Sequence, residues 1–384
     1  MIYFDIATNT RNMTLFFELL QVAVGARKCL SHTPSAVEWQ KLYYMAEKQA
    51  VVGVCFSAVK RLEHEGQIPP TEIYMQWLAV TTQIQQRNEV MNRRCEELQR
   101  LLDDAGFRCC ILKGQGVTKL YGIRNEELGF GKNSLGMLRQ SGDIDVWVDG
   151  GLDRIMKWVT KLSPTNKVNG HHIHFCYFND TEVELHYIPL NLPNPIKNHV
   201  IHKFFAANAD KQFANNVQFC TGEIITAASD GFNIVFLLAH IFHHMFTEGV
   251  GLRQCMDYHF LLVNLDRSNA EVEHSLRVVA DLGLYRFAAA LMWVMGRVFG
   301  LQQDKMLWTP NEKDGKFLLR EIMQSGNFGK QDDRQRNLYK SKWHSFLIVH
   351  FKTFRLWRFD HWAWFWSPIY RIKGKAWQLV HGYK

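Results

Sequence analysis

The stretch Ser141-Gly142-Asp143-Ile144-Asp145-Val146-Trp147-Val148-Asp149 constrains this chain more than any other. Two carboxylates sit two residues apart inside a β-branched, apolar run. On a strand successive side chains alternate faces, so Asp143 and Asp145 are expected on one side, with Ile144 and Val146 on the other. Aspartates held side by side repel each other and lose hydration. A divalent cation between them relieves both costs, and hard oxygen donors suit Mg²⁺. Asp-x-Asp also occurs by chance at polar strand edges, so the surrounding sequence has to decide.

Upstream, Phe107-Arg108-Cys109-Cys110-Ile111-Leu112 reads as a buried strand, followed by Lys113-Gly114-Gln115-Gly116 and a helix from Val117 to Tyr121. A strand, a glycine-bearing turn and a helix start together make an anion site, because backbone N–H groups and the helix dipole both favour negative charge. Lys113 adds a point charge at its mouth, although a plain strand–helix turn reads the same way. Gly122 to Gly142 is a long loop with Gly129, Gly131 and Gly136, carrying Arg124, Lys132 and Arg139 towards the aspartates; loops of this length are usually functional. Asp149-Gly150-Gly151 ends the strand, and Leu152 to Leu162 is predicted helical. Downstream, His171 to Phe178 alternates as a strand, Asn179-Asp180-Thr181 turns, and Glu182 to Tyr187 returns as the second arm of a hairpin. Glu184 and His186 share a face there. If the hairpin pairs beside the aspartate strand, Glu184 becomes a third carboxylate at the same metals; otherwise it is an exposed strand residue.

The rest of the chain reads as helical, in keeping with a globular composition that is 47% hydrophobic and 21% charged. Ser35 is a candidate N-cap, Thr71 another for a long helix, and Asp104-Ala105-Gly106 ends that helix. Ser229 or Asp230 opens a helix bearing His240 and His244 on one face, and three more helices follow from Gly251, Ala270 and Leu284. The divisions expected are a helical region 1–106, a catalytic core 107–222, a helical domain 223–305, a charged, partly loose connector 306–340 and a basic aromatic tail 341–384.

Charge is unevenly placed. The net +8 falls mostly in the tail, which carries eight Lys/Arg against one Asp, so the body is nearly neutral. That argues against a dedicated nucleic-acid binder. The tail holds six of the twelve tryptophans. The spacing would let Trp343, Leu347, Phe351, Phe354 and Trp357 line one helical face, with Lys352, Arg355 and Arg358 beside it. Such a segment suits an anionic membrane surface, nucleic acid, or docking on its own domain. The eight cysteines include no Cys-x-x-Cys pair and read as reduced core thiols. No signal peptide is visible at Met1. The longest apolar run, Val235 to Phe246, is broken by histidines and too short to span a bilayer, so a cytoplasmic protein is expected.

Leu112-Lys113-Gly114, Tyr121, Arg139, Gly142-Asp143-Ile144-Asp145, Val183-Glu184-Leu185-His186 and His240…His244…Arg253…Asp257 together resemble the uncharacterised bacterial nucleotidyltransferase family, within the DNA polymerase beta-like superfamily. The resemblance covers about residues 30 to 300. It implies an α+β fold, with a small mixed sheet flanked by helices and helical additions at both ends. It further implies that Asp143, Asp145 and Glu184 bind two Mg²⁺ (or Mn²⁺) and move NMP from an NTP to a hydroxyl acceptor. Lys113, Gly114, Gly116, Arg139, Ser141 and Gly142 would hold the phosphates. His172, His174, His186, His240 and His244 would contact the acceptor or fix the carboxylates. The wider superfamily's Gly-Ser after the first strand is replaced here by Lys113-Gly114, which bears on the γ-phosphate grip more than on the metals. A near-neutral body favours a sugar or small-molecule acceptor over a long polymer, with a protein acceptor also open. Two alternatives stand beside this reading: a metal-dependent phosphohydrolase built on the histidines, and a non-catalytic binding protein on the same scaffold.

Overall fold

A computed structural model describes residues 6–122, 134–163, 167–219, 221–327, 350 and 353–380. The predicted Arg124, Lys132, Gly129 and Gly131 of the long loop, and Trp343, Leu347, Phe351 and Lys352 of the tail, lie outside the described residues.

The fold is α+β. A five-stranded sheet runs in the order β1 (Cys109–Ile111), β2 (Ile144–Val148), β5 (Val183–His186), β4 (His172–His174) and β3 (Lys167–Val168). Only β2 and β5 are parallel; the other neighbours are antiparallel. Alternation along each strand sorts the side chains cleanly. Ile111, Ile144, Val146, Ile173, Val183 and Leu185 face one way, into a core shared with Met91, Cys95 and Leu98 of α4 (Thr71–Asp104) and, after the short α5 (Ser134–Met137), Ile155 and Val159 of α6 (Gly151–Leu162). Trp147 points the other way, stacking 6.0 Å from Phe232 and packing on Phe205 and Phe213. Asp145, Glu184 and the strand histidines share the face of Trp147.

A second, larger core lies beyond that face. It joins the N-terminal helices α1 (Ile6–Ala23), α2 (Ala36–Lys48) and α3 (Val52–Leu62) to α8 (Asp230–Phe246), α9 (Leu252–Asn264), α10 (Ala270–Asp281), α11 (Tyr285–Phe299) and α12 (Glu312–Ser325). Ser35 caps α2 through a reciprocal pair with Glu38, and Ser229 caps α8. The expectation for Thr71 is corrected: it is the first helical residue of α4, Pro70 precedes it, and no side chain caps that end. Part of the charged connector is ordered as α12, because Leu318, Leu319 and Ile322 recur at helical spacing and bury in the larger core. The sequence reading passed over α7 (Pro195–Gln212), whose start is set by Asn194 as N-cap and Pro195 at the first turn. It also passed over a small hairpin, β6 (Asn216–Gln218) with β7 (Ile224–Thr226).

The tail docks in part on its own chain. Leu356, Phe359 and Ala363 bury in the larger core, Arg355 pairs with Glu321 at 2.6 Å, and α13 (Ala363–Val380) follows. Among the described residues no single helix is long and apolar enough to cross a membrane.

His259 of α9 is 3% exposed, between the rings of Phe260 and Phe299, and its Nδ1 has no hydrogen-bond partner among the described residues. Burial pushes its pKa down to about 3. Because the folded value lies below the unfolded one, the unfolded chain takes up the proton first, and stability falls as pH drops from about 6.5 towards 3. At pH 5 this single site costs about 2 kcal/mol. His259→Phe is therefore expected to shrink the loss of stability between pH 7 and pH 5 by about that amount in urea titrations. Equal pH slopes in the two proteins would show that the imidazole is protonated in place.

Candidate active site at the sheet face and helix α8

Strand register brings the acidic side chains together. Asp145 pairs with Glu184 across the parallel β2–β5 ladder, and Glu184 and His186 pair with His174 and His172 across β5–β4. All five project from one sheet face, since the pleat alternates with a period of two. Asp145 is 1% exposed. A buried carboxylate without a counter-charge would cost several kcal/mol, and here two cations meet it. Lys113 Nζ lies 3.0 Å from Oδ2 and His186 Nε2 lies 3.0 Å from Oδ1. Burial alone would raise the Asp145 pKa, but Lys113 and His186 more than offset it and hold the carboxyl well below the usual range. Burial likewise works against the charge on Lys113, yet Asp145, Asp143 and Glu184 raise its pKa to about 12. His186, buried too, is lifted to about 9 by its bonds to Asp145 and Glu184.

Glu184 sits inside a ring of imidazoles: His172 Nε2 at 3.4 Å, His174 Nδ1 at 3.5 Å and His186 Nε2 at 3.5 Å. Asn169 Nδ2 lies 2.9 Å and 3.1 Å from the Nε2 atoms of His172 and His174. His172 is pushed down to about 4 by burial and by His186. A cleft of about 1150 Å³ opens over this face. Its opposite wall is α8, where His240 and His244 stand one turn apart with their Nε2 atoms 3.0 Å from each other, next to His243.

Beside the cleft, Lys113, Gly114, Gly142, Asp143 and Asp145 share a small recess with Arg139, Arg253 and Asp257. Arg139 donates to Asp257 through two bonds of 2.7 Å, and the Tyr121 hydroxyl donates to the same carboxylate at 2.6 Å. Arg253 Nη1 donates to the Gln140 carbonyl at 2.9 Å. Burial and the neighbouring Arg139 pull its pKa down to about 10. The Lys113–Tyr121 turn is tight. Gly114 has φ +59°, and a Cβ on Gly116 would lie 2.7 Å from the Ile111 carbonyl, so neither position takes a side chain without strain.

The geometry of each predicted residue follows from this. Asp145, Glu184 and His186 place ligand atoms within 4.8 Å of one another, as do His172, His174 and Glu184. Asp143 is not in either group. It immediately precedes β2 rather than lying within the strand, and it lines both the cleft and the recess. Ser141 is half-buried in the same lead-in, ahead of the exposed Gly142. The Gly116 N–H bonds back to the Lys113 carbonyl at 3.1 Å, within the turn. Arg139, placed at the phosphates by sequence, ends on Asp257. Two carboxylates with hard oxygens, joined by imidazole donors and with Asp143 at the lip, form a donor set that fits divalent cations. The sequence assigns no role to Asn169, His171 or His243, and Arg253 and Asp257 enter it only as part of the resemblance. The four-residue spacing of Arg253 and Asp257, which puts both on one face of α9, was the available signal.

Because Arg139 is 5% exposed and paired bidentately, Asp257→Asn is expected to cost about 3–5 kcal/mol by leaving a buried guanidinium without its counter-charge. Tyr121→Phe should cost about 1 kcal/mol. Chemical denaturation measures both. A loss below about 1 kcal/mol for Asp257→Asn would show that water reaches Arg139.

A family model described as an uncharacterised nucleotidyltransferase matches residues 35–300. No curated protein and no solved structure matches the chain. The matched span takes in the N-terminal helices from Ser35, the whole five-stranded sheet and both walls of the cleft, through α11. With more than half its length under that match, the chain belongs to the uncharacterised nucleotidyltransferase family.

Proposed function

We propose that the protein transfers NMP from a metal-bound NTP to the hydroxyl of a small acceptor, a sugar or another small molecule in preference to a protein, in the cytoplasm. The observation that carries this reading is the register of Asp145 opposite Glu184, with Lys113 and Asp143 at the same opening. Asp143, Asp145 and Glu184 would hold two Mg²⁺ ions. Bound there, the ions would neutralise the triphosphate and polarise its α-phosphate.

The chain's own residues would do the rest. Lys113, at the mouth of the Gly114 turn, would trade its pairing with Asp145 for the β- and γ-phosphates as cations enter. Arg253 and the backbone at Ser141 and Gly142 would line the same phosphates, and Arg139 would act through Asp257 by holding that lead-in in place. Glu184 would orient the acceptor hydroxyl and take its proton. As the hydroxyl oxygen bonds to the α-phosphorus, the bond to the bridging oxygen breaks and pyrophosphate leaves. His186, fixed between Asp145 and Glu184, would set the carboxylate rotamers. His172, His174, His240 and His244 would flank the acceptor. Positioning and electrostatics dominate this class of chemistry.

Carboxylate oxygens suit Mg²⁺ and Mn²⁺ alike, and the imidazoles beside Glu184 tolerate the softer Mn²⁺, so both ions are expected to support activity. The same cluster favours a second reading, a metal-dependent phosphohydrolase using His172, His174 and Glu184. Under that reading, the purified protein retains a transition metal and releases inorganic phosphate from NTPs.

The test is incubation with each α-labelled NTP and a lysate of the source. Asp143→Ala/Asp145→Ala and, separately, Glu184→Gln are expected to lower incorporation roughly 10³-fold or more, with melting curves confirming that each variant folds. Equal incorporation by wild type and both variants removes the catalytic assignment.

A further inference from the structure

Helix α13 has two apolar sides, and among the described residues only one of them is covered. Its inner side is docked. Ala363 and Ser367 are buried, Trp377 packs against the core beneath the sheet, and the Gln378 amide donates to the Val168 carbonyl at 3.0 Å. Its outer side carries Phe365, Ile369, Ile372, Ala376 and Leu379, recurring at steps of three and four residues along one exposed stripe, with the exposed Trp362 just ahead of the helix. Ile372 is 64% exposed and Leu379 81%. A contiguous stripe of this kind on a helix already anchored by its other face is not left over from folding. Lys373 and Lys375 are exposed to either side of it, with Arg371 further round. Ala363–Val380 contains no acidic residue.

We propose that this stripe is an interfacial docking face that lays α13 on an anionic lipid surface. The composition chooses this occupant. Aliphatic Ile369, Ile372 and Leu379 gain by entering the acyl boundary, whereas nucleic acid offers them no partner comparable to base stacking on aromatics. Lysines placed about 80° on either side of an apolar stripe reach headgroup phosphates while the stripe sinks between them. The charge is complementary as well, since residues 341–384 hold most of the chain's net charge of +8. The helix would lie on the surface and not span it, in line with the absence of a sufficiently long apolar helix among the described residues.

The experiment is co-sedimentation of the full chain with phosphatidylcholine vesicles, with and without phosphatidylglycerol. Arms with a single-stranded oligonucleotide and with no vesicles, read by analytical ultracentrifugation, run in parallel. Wild type is expected to bind the anionic vesicles. Ile372→Glu/Leu379→Glu should lower the partition coefficient roughly tenfold or more, and Lys373→Gln/Lys375→Gln roughly fivefold per lysine on anionic vesicles only. All four side chains are exposed, so unchanged melting curves are expected. The proposal is overturned if wild type leaves anionic vesicles in the supernatant, or if the glutamate variant binds them as well as wild type. It is also overturned if that variant instead loses oligonucleotide binding or dissociates a dimer. The readout does not use nucleotidyl transfer, so its outcome and that of the labelling experiment are independent.

Discussion

A carboxylate that is 1% exposed at the centre of a sheet must be neutralised for this fold to exist, and Asp145 is neutralised by Lys113 and His186. Much else follows from that. Lys113 is drawn in at the end of β1, which brings the Gly114 turn over the strand. His186 is drawn in from β5, which aligns Glu184 beside it. The positive potential beside this carboxylate is thus supplied by the protein itself. Asp145 is therefore not buried as a bare negative charge.

The sheet owes its division of labour to alternation. On β2, Ile144, Val146 and Val148 join the smaller core while Asp145 and Trp147 look towards α7 and α8. One residue of slip would bury both Asp145 and Glu184 among the valines and leucines beneath, so the apolar face enforces the site's register at no separate cost. The two layers are then tied by a polar contact, Arg139 with Asp257, which crosses from the lead-in of β2 to α9. That pair lies under the recess and fixes where Gly142 and Asp143 sit relative to Arg253.

Sequence patterning made much of this legible. The alternation through Asp143–Val148 and Val183–His186 revealed two strands and their polar face, because a period of two is unambiguous when the other face is uniformly β-branched. The Ser35 and Ser229 caps were legible for local reasons. Partnership across the chain was not. Nothing in the sequence around Arg139 says that its guanidinium ends on a carboxylate of α9 and not on a phosphate, since both bind the same planar fork. Asp143 read as a strand residue, yet the ladder begins at Ile144. A helix in the charged connector was hidden by composition, because α12 buries only a narrow strip of Leu318, Leu319 and Ile322 beneath many charges.

Tyr121 and Arg139 stand on either side of the long glycine-bearing segment, and both terminate on the single carboxylate of Asp257. The segment is therefore laced shut at its base. Leu135 and Leu138 are buried on its Arg139 side and the Asn88 amide donates to the Met137 carbonyl, so that end is held by packing as well as by Asp257. Closing a longer loop costs little once its ends are pinned. Loss of the one Asp257 carboxylate would be felt at both ends of the segment at once.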